Sequence, residues 1–394
     1  MEHAGSVEQV GGPDSGRGGT LRYLVISDAH FGTPESSIND SRFAKPLVAH
    51  ICAEGPWEEV IFTGDLLDVN LATFTRSIEG GRYPDIDVEL FGFRQFIGAL
   101  DAELRRTKGQ GLASLAHRWV YIPGNHDYKV WDMLATKIVC EDVLAAGNPM
   151  GTVKTPLKHH RWDGERSFFA GIYKPFNAAG QVTVIYPNYE IPSGGTSPTV
   201  VLTHGHYLDP SQTWGHSLDK ELSGAVDAQA EAKVVRAIVI DCAQYQTLAN
   251  AVSFTKRSRK IINALFGPGG LKEWVKAVIT QAAAWILRLV FLSQSTRGKR
   301  ISETLLRNIE QYLKRFTPYA HPPKCFVFGH THRQDAAIMA ETAVFNVGSF
   351  YPDHGIPITF AEIHISGESE PRVSLMCVDA NGEVRETRPV QRGG

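Results

Sequence analysis

The chain has 394 residues, a net charge of −2, 43% hydrophobic residues and 21% charged residues. That length buries at least one large core, and the composition is ordinary for a soluble globular protein. The near-zero charge excludes polyanion binding by overall basicity, so any site for phosphate or nucleic acid has to be local. Five scattered cysteines, Cys52, Cys140, Cys242, Cys325 and Cys377, lack metal-type pairing and point to reduced thiols and a cytoplasmic location. Residues 1–20 are Gly-rich and polar without an apolar core segment, which reads as a flexible tail rather than a signal peptide or anchor.

In chain order, residues 21–27 read as an apolar strand that delivers Asp28 and His30 at its carboxyl end. A helix over 40–52 carries the chain back to a second strand, Val60, Ile61 and Phe62, in a βαβ unit. That strand runs into Gly64, Asp65 and Asp68. Ligands of open α/β sheets bind at the carboxyl ends of strands, which is where these carboxylates arrive. Asp68 reads equally as a helix cap and as a support for a nearby histidine. A helix over 91–104 precedes a third strand, 119–122, which ends in Gly124, Asn125, His126 and Asp127.

Residues 130–144 read as helix, and 168–172, 182–186 and 199–203 as strands, the last ending in His204, Gly205 and His206. His159 and His160 read as exposed loop residues. Residues 207–320 have helical periodicity and few strand signals. Within them Trp274, Val278, Trp285 and Leu289 mark an apolar stripe, and 256–260 and 297–300 are basic runs. Lys276, Gln281 and Arg288 interrupt the apolar stretch 274–292, so no membrane-spanning helix is expected. Residues 324–328 form another strand, ending in Gly329, His330, Thr331 and His332. Residues 343–348 and the alternating segment 358–378 close the chain as β structure and are expected to form a second sheet.

Strand after strand ends in a cluster of Asp, His or Asn, and the set resembles the calcineurin-like metallophosphoesterases. Their signature is D-x-H, G-D-x-x-D, G-N-H-D/E, H and G-H-x-H in that order. Here the blocks are Asp28 with His30, Gly64 with Asp65 and Asp68, Gly124 through Asp127, His204, and Gly329 with His330 and His332. The resemblance covers residues 21–206 and 321–365. It implies an α/β fold, a four-layer β-sandwich flanked by helices, with 21–206 and 321–394 forming the core and 207–320 an inserted α-helical cap.

The resemblance also implies two divalent metal ions, manganese first, with iron or zinc as alternatives. Asp28, His30, Asp65 and His332 would bind one ion, and Asp65, Asn125, His204 and His330 the other. Two ions about 3.5–4 Å apart can clamp a phosphoryl group and activate water at neutral pH. His126 and Asp127 are the implied catalytic pair, with His126 over the phosphate and Asp127 orienting it. His206 and His216 are candidate substrate contacts.

The implied activity is hydrolysis of a phosphate ester or pyrophosphate by metal-bound hydroxide. The substrate would be a phosphorylated small molecule or lipid-like compound, with peripheral membrane contact left open and no nucleic acid expected. A narrower alternative is a lipid enzyme similar to bacterial UDP-diacylglucosamine pyrophosphohydrolases, whose third block carries Arg where this chain has His126. A silent scaffold of the same fold is the alternative from another class, but such relatives have usually lost ligand histidines, and every ligand position is filled here.

Overall fold

The computed structural model describes residues 20–33, 35–67, 86–127, 160–163, 169–192, 198–209, 300–315, 321–352, 355–366 and 370–387. The first half of the chain alternates strand and helix. β1 (Leu21–Ile26) leads to α1 (Ser41–Glu54), whose N-cap Asp40 accepts a hydrogen bond from the backbone N–H of Arg42. β2 (Trp57–Phe62), α2 (Ile86–Lys108) and β3 (Ala116–Tyr121) follow. On α2, Leu90, Phe93, Phe96, Ile97, Leu100 and Leu104 are buried, an i, i+3, i+4 stripe that only a helix lays against one surface.

β4 (His160–Asp163), α3 (Ala170–Tyr173), β5 (Val182–Tyr186), β6 (Asn188–Pro192) and β7 (Pro198–Thr203) complete this part. After them come α4 (Glu303–Arg315), β8 (Cys325–Phe328), β9 (Asp335–Met339) and β10 (Thr342–Asn346). The chain closes with β11 (Ile358–Ile365), β12 (Arg372–Val378) and β13 (Val384–Glu386).

The strands form two sheets, ordered β13-β12-β11-β1-β2-β3-β5-β4 and β6-β7-β8-β10-β9. β1, β2, β3 and β5 run parallel, as do β7, β8 and β10. Parallel strands of this kind are covered on both faces, and the side chains show it. In β1, Tyr23 and Val25 face the core between the sheets, whereas Leu24 and Ile26 face the helices α1 and α2. In β8, Cys325 and Val327 face the inter-sheet core, whereas Phe326 and Phe328 pack with Leu305, Ile309 and Tyr312 of α4. The layers are therefore helix, sheet, sheet, helix, as the family resemblance implies.

Three sequence expectations change. The segment 358–378 does not enter the second sheet: β11 pairs antiparallel with β1, and β12 with β11, so both extend the first sheet. The alternation in that segment fixes two faces but not which strand edge it meets, and the edge of β1 was open. Where a strand was expected over 168–172, Ala170–Tyr173 form the single-turn helix α3, with Phe169, Ile172 and Tyr173 buried against Phe93, Trp119 and Tyr121. A short apolar run has no periodicity that separates these outcomes. His160, expected in a loop, opens β4.

The described end of the segment assigned to the cap, α4, is the outer layer of the smaller sheet. Residues 210–299, including the apolar stripe and both basic runs but for Arg300, lie outside the described residues, as do the expected helix 130–144 and the tail but for Thr20. No described helix is long and apolar enough to cross a membrane.

Ile309 is fully buried between α4 and the smaller sheet. Ile309→Ala is expected to lower unfolding stability by about 2–5 kcal/mol, the usual cost of a buried Ile-to-Ala cavity. Urea denaturation of the two proteins checks it, and a loss under about 0.5 kcal/mol would mean that α4 is not a packed layer.

Candidate metal centre

Parallel register brings the polar clusters level. Ile26 pairs with Phe62, and Phe62 with Tyr121, so Asp28, Asp65 and Asn125 leave neighbouring strands at one end of the first sheet. Thr203 pairs with Phe328, so His204 and His330 leave the second sheet together. Within each sheet the loops are stitched by backbone bonds: Asp28 N–H to Gly64 O at 3.0 Å and His30 N–H to Asp65 O at 3.0 Å in the first, and Gly329 N–H to His204 O at 3.2 Å in the second.

Two glycines permit this closeness. Gly64 has φ +87°, and a Cβ there would overlap the His204 ring; a Cβ on Gly329 would overlap Ser27 Oγ and Asp28 Oδ2. The backbone is strained around them. Asp28, His30, Asp65, His330 and His332 all have left-handed φ between 46° and 69°, a region L residues avoid. Such strain costs roughly 1–3 kcal/mol per residue and persists where the surroundings dictate it, typically at functional sites.

The side chains form two overlapping groups. Asp28, His30, Asp65 and His332 offer ligand atoms that all lie within 4.8 Å of one another, and so do Asp65, His204 and His330. Asp65 belongs to both. Its Oδ2 lies 3.4 Å from His204 Nε2 and 4.0 Å from the Nε2 atoms of His30 and His126. Its Oδ1 accepts the backbone N–H of His126 at 2.7 Å. Asn125 Oδ1 sits 3.0 Å from His204 Nε2 and 3.1 Å from His330 Nδ1, which joins it to the second group. His332 Nε2 is 3.1 Å from Asp28 Oδ1, and Asp28 Oδ2 accepts from Ser27 Oγ and from the His330 N–H. His204 Nδ1 faces the Thr63 carbonyl at 2.9 Å, which leaves Nε2 as its inward atom.

Burial opposes ionisation of both carboxylates, yet nearby imidazolium charge more than offsets it. His204 and His332 hold Asp28 below the usual carboxylate range, and His204 and His126 hold Asp65 well below it. Burial likewise lowers His204, but the charges of Asp65 and Asp28 outweigh it and hold the ring at about 9. Asp127 goes the other way, raised to about 6 by burial and then by the charge of Asp65. Positive charge belongs in this cluster, and mixed imidazole, carboxylate and amide oxygen donors suit first-row divalent ions. The donor set therefore fits metal.

His126 is the outermost of these residues, with its side chain 15% exposed and its ring edge-on to His30 at 4.9 Å. Asp127 is fully buried; its Oδ2 accepts the Leu66 N–H at 2.8 Å and its Oδ1 the Gly124 N–H. The carboxylate thus ties the second and third loops together. His206 is 1% exposed, stacked on Tyr186 and held neutral by burial and by the charges of His204 and His330. Its ring stands behind His204, away from solvent. His216 and Asp68 lie outside the described residues.

Two residues near the cluster carry no sequence signal. Asp209, 1% exposed, places Oδ2 3.2 Å from His330 Nε2. Tyr351 stacks on His332 at 5.2 Å with the planes 6° apart, and its hydroxyl meets Thr33 Oγ1 at 3.2 Å.

A protein-family model described as calcineurin-like phosphoesterase matches residues 21–334. The chain belongs to that family. No curated protein matches it. Among solved structures, this calcineurin-like phosphoesterase is similar to a single mutant of Vps29 from Entamoeba histolytica, at 10% identity and a TM-score of 0.32, covering 93% of this chain and 100% of that one. A predicted phosphoesterase from Streptococcus pneumoniae is similar at 11% identity and 0.27, covering 94% and 98%. A cold-active protein-tyrosine phosphatase from a Shewanella species is similar at 13% identity and 0.30, covering 94% and 81%. The family match alone carries the assignment.

Gly329→Ala is expected to abolish most metal uptake, since the added methyl meets Ser27 and Asp28 at once. Metal content of purified protein by plasma mass spectrometry checks this. Uptake equal to that of the unaltered protein would mean the last loop does not close on Asp28.

Proposed function

We propose that the chain is a dinuclear metal-dependent phosphoesterase that hydrolyses a phosphate ester or pyrophosphate. The observation that carries this reading is the Asp65 carboxylate, shared by two ligand groups that each draw on both sheets. Asp28, His30, Asp65 and His332 would hold one ion, and Asp65, Asn125, His204 and His330 the other. When bound, a pair of divalent ions supplies Lewis-acid activation of the phosphoryl oxygen and of water. Manganese suits these donors, with iron and zinc as alternatives.

The chain's own residues supply the rest. His126 stands on the open side, so its Nε2 can donate a proton to the departing oxygen or stabilise charge there. Asp127 acts through the loop, holding Gly124 and Leu66 so that Asn125 and His126 face the cluster. On this reading the protein acts in the cytoplasm on a phosphorylated small molecule or lipid-like compound. A scaffold role is disfavoured by the same cluster, because five strained residues and two buried carboxylates are a cost that a silent surface has no reason to retain.

Asp65→Asn is expected to reduce bound metal and to cut turnover of an aryl phosphate by at least about a thousandfold, because it weakens both ions. Unchanged metal content and rate would overturn the shared-ligand reading. His126→Ala is expected to keep its metal yet lose about 10²–10⁴ in rate, with a smaller loss for good leaving groups. Rates on phenyl and nitrophenyl phosphates measure it; an equal loss on both would exclude proton donation and leave charge stabilisation.

A further inference from the structure

Two histidines converge on the Asn125 amide oxygen from opposite nitrogens. His204 reaches it with Nε2 at 3.0 Å and His330 with Nδ1 at 3.1 Å. Each ring then has one nitrogen turned away from the cluster, and each of those nitrogens faces an oxygen. For His204 the oxygen is the Thr63 carbonyl, at 2.9 Å from Nδ1. For His330 it is the Asp209 carboxylate, with Oδ2 at 3.2 Å from Nε2. A histidine that binds metal through one nitrogen usually donates its other N–H to such an oxygen, which fixes the tautomer and the ring plane.

We infer that Asp209 is a positioning residue for the second ion, acting through His330. The inference rests on the dinuclear reading. With the proton of His330 on Nε2 and donated to Asp209, Nδ1 presents its lone pair beside Asn125. A carboxylate partner also makes the imidazole a stronger donor than a carbonyl partner does, so the two ligands are not equivalent.

Asp209 is itself held in place. It ends a single turn over residues 206–208, and its N–H bonds to His206 O at 3.2 Å. The preceding carbonyl, Leu208 O, accepts from Asn308 Nδ2 of α4 at 2.8 Å. Tyr207 packs on Tyr312 of the same helix, and both hydroxyls donate to Asn188 Oδ1 at 2.9 Å. Asp209 is thus fixed by the outer layer of the smaller sheet and reaches inward to His330. With 1% of its surface exposed and the His330 ring between it and Asn125, it touches neither ion nor substrate. That separates it from the ligands.

The test is titration of metal-free full-length protein with Mn²⁺ alone, following free Mn²⁺ by electron paramagnetic resonance, with apo stability measured by thermal unfolding. The unaltered protein is expected to bind two ions. Asp209→Ala is expected to keep one ion within about twofold and to weaken the other by roughly 10- to 100-fold. Asp209→Asn retains an oxygen acceptor without the charge and should fall between. Two ions bound alike by the unaltered protein and both variants would overturn the inference and leave the dinuclear reading intact. Equal weakening of both ions would also overturn it, since a loosened fold does not choose between sites. Fewer than two ions on the unaltered protein would remove the dinuclear reading and this inference with it. Should Asp209→Ala fail to fold, Asp209→Asn decides: selective weakening of one ion by about threefold or more supports the role, and two unchanged affinities overturn it.

Discussion

Two candidate ligand carboxylates out of water at one end of the sandwich are the constraint to which the structure answers. Asp28 and Asp65 are both buried, and taking an ion out of water costs several kcal/mol unless charge and hydrogen bonds compensate. The compensation comes from the backbone N–H groups of His330 and His126, from the Ser27 hydroxyl, and from imidazoles on both sheets. No single strand could supply it. Three loops of one sheet and two of the other have to meet, which is why the sandwich brings its parallel strands level at this end and why glycines stand where loops touch. Removing either carboxylate's partners leaves a buried negative charge, whereas a divalent cation would satisfy both carboxylates together.

The site was largely legible in the sequence, and the reason is physical. Strands of a parallel sheet are apolar on both faces, so β1, β2, β3, β7 and β8 read as short runs of β-formers, and a polar cluster after such a run is conspicuous. Asp28, His30, Asp65, Asn125, His204, His330 and His332 each follow one. Connectivity across space was less legible. β11 pairs with β1, more than 300 residues earlier in the chain, and carries β12 with it, and nothing local in their alternation says so. α3 reads as a strand in sequence because its apolar residues span too few positions to show a period.

Asp209 and Tyr351 escaped notice for a related reason. Each stands near the ligands through a contact made by another part of the chain: Asp209 meets His330, and Tyr351 meets His332 and Thr33. A carboxylate or a phenol with no spacing to a motif carries no signal until the fold brings it there. Asp127 shows the converse. Its place in the third block suggested chemistry at His126, and the structure gives it backbone partners in two loops.

The clasp between the turn at 206–208 and α4 has a consequence for how this chain tolerates change. Asn308 holds Leu208, and Tyr312 holds Tyr207, on one side of residues 210–299; Ile301 N–H donates to Asp335 on the other. The framework therefore closes on itself at this point. The chain is therefore intolerant of change at Asn308 and Tyr312, which touch no ligand yet hold the turn that carries Asp209 to His330.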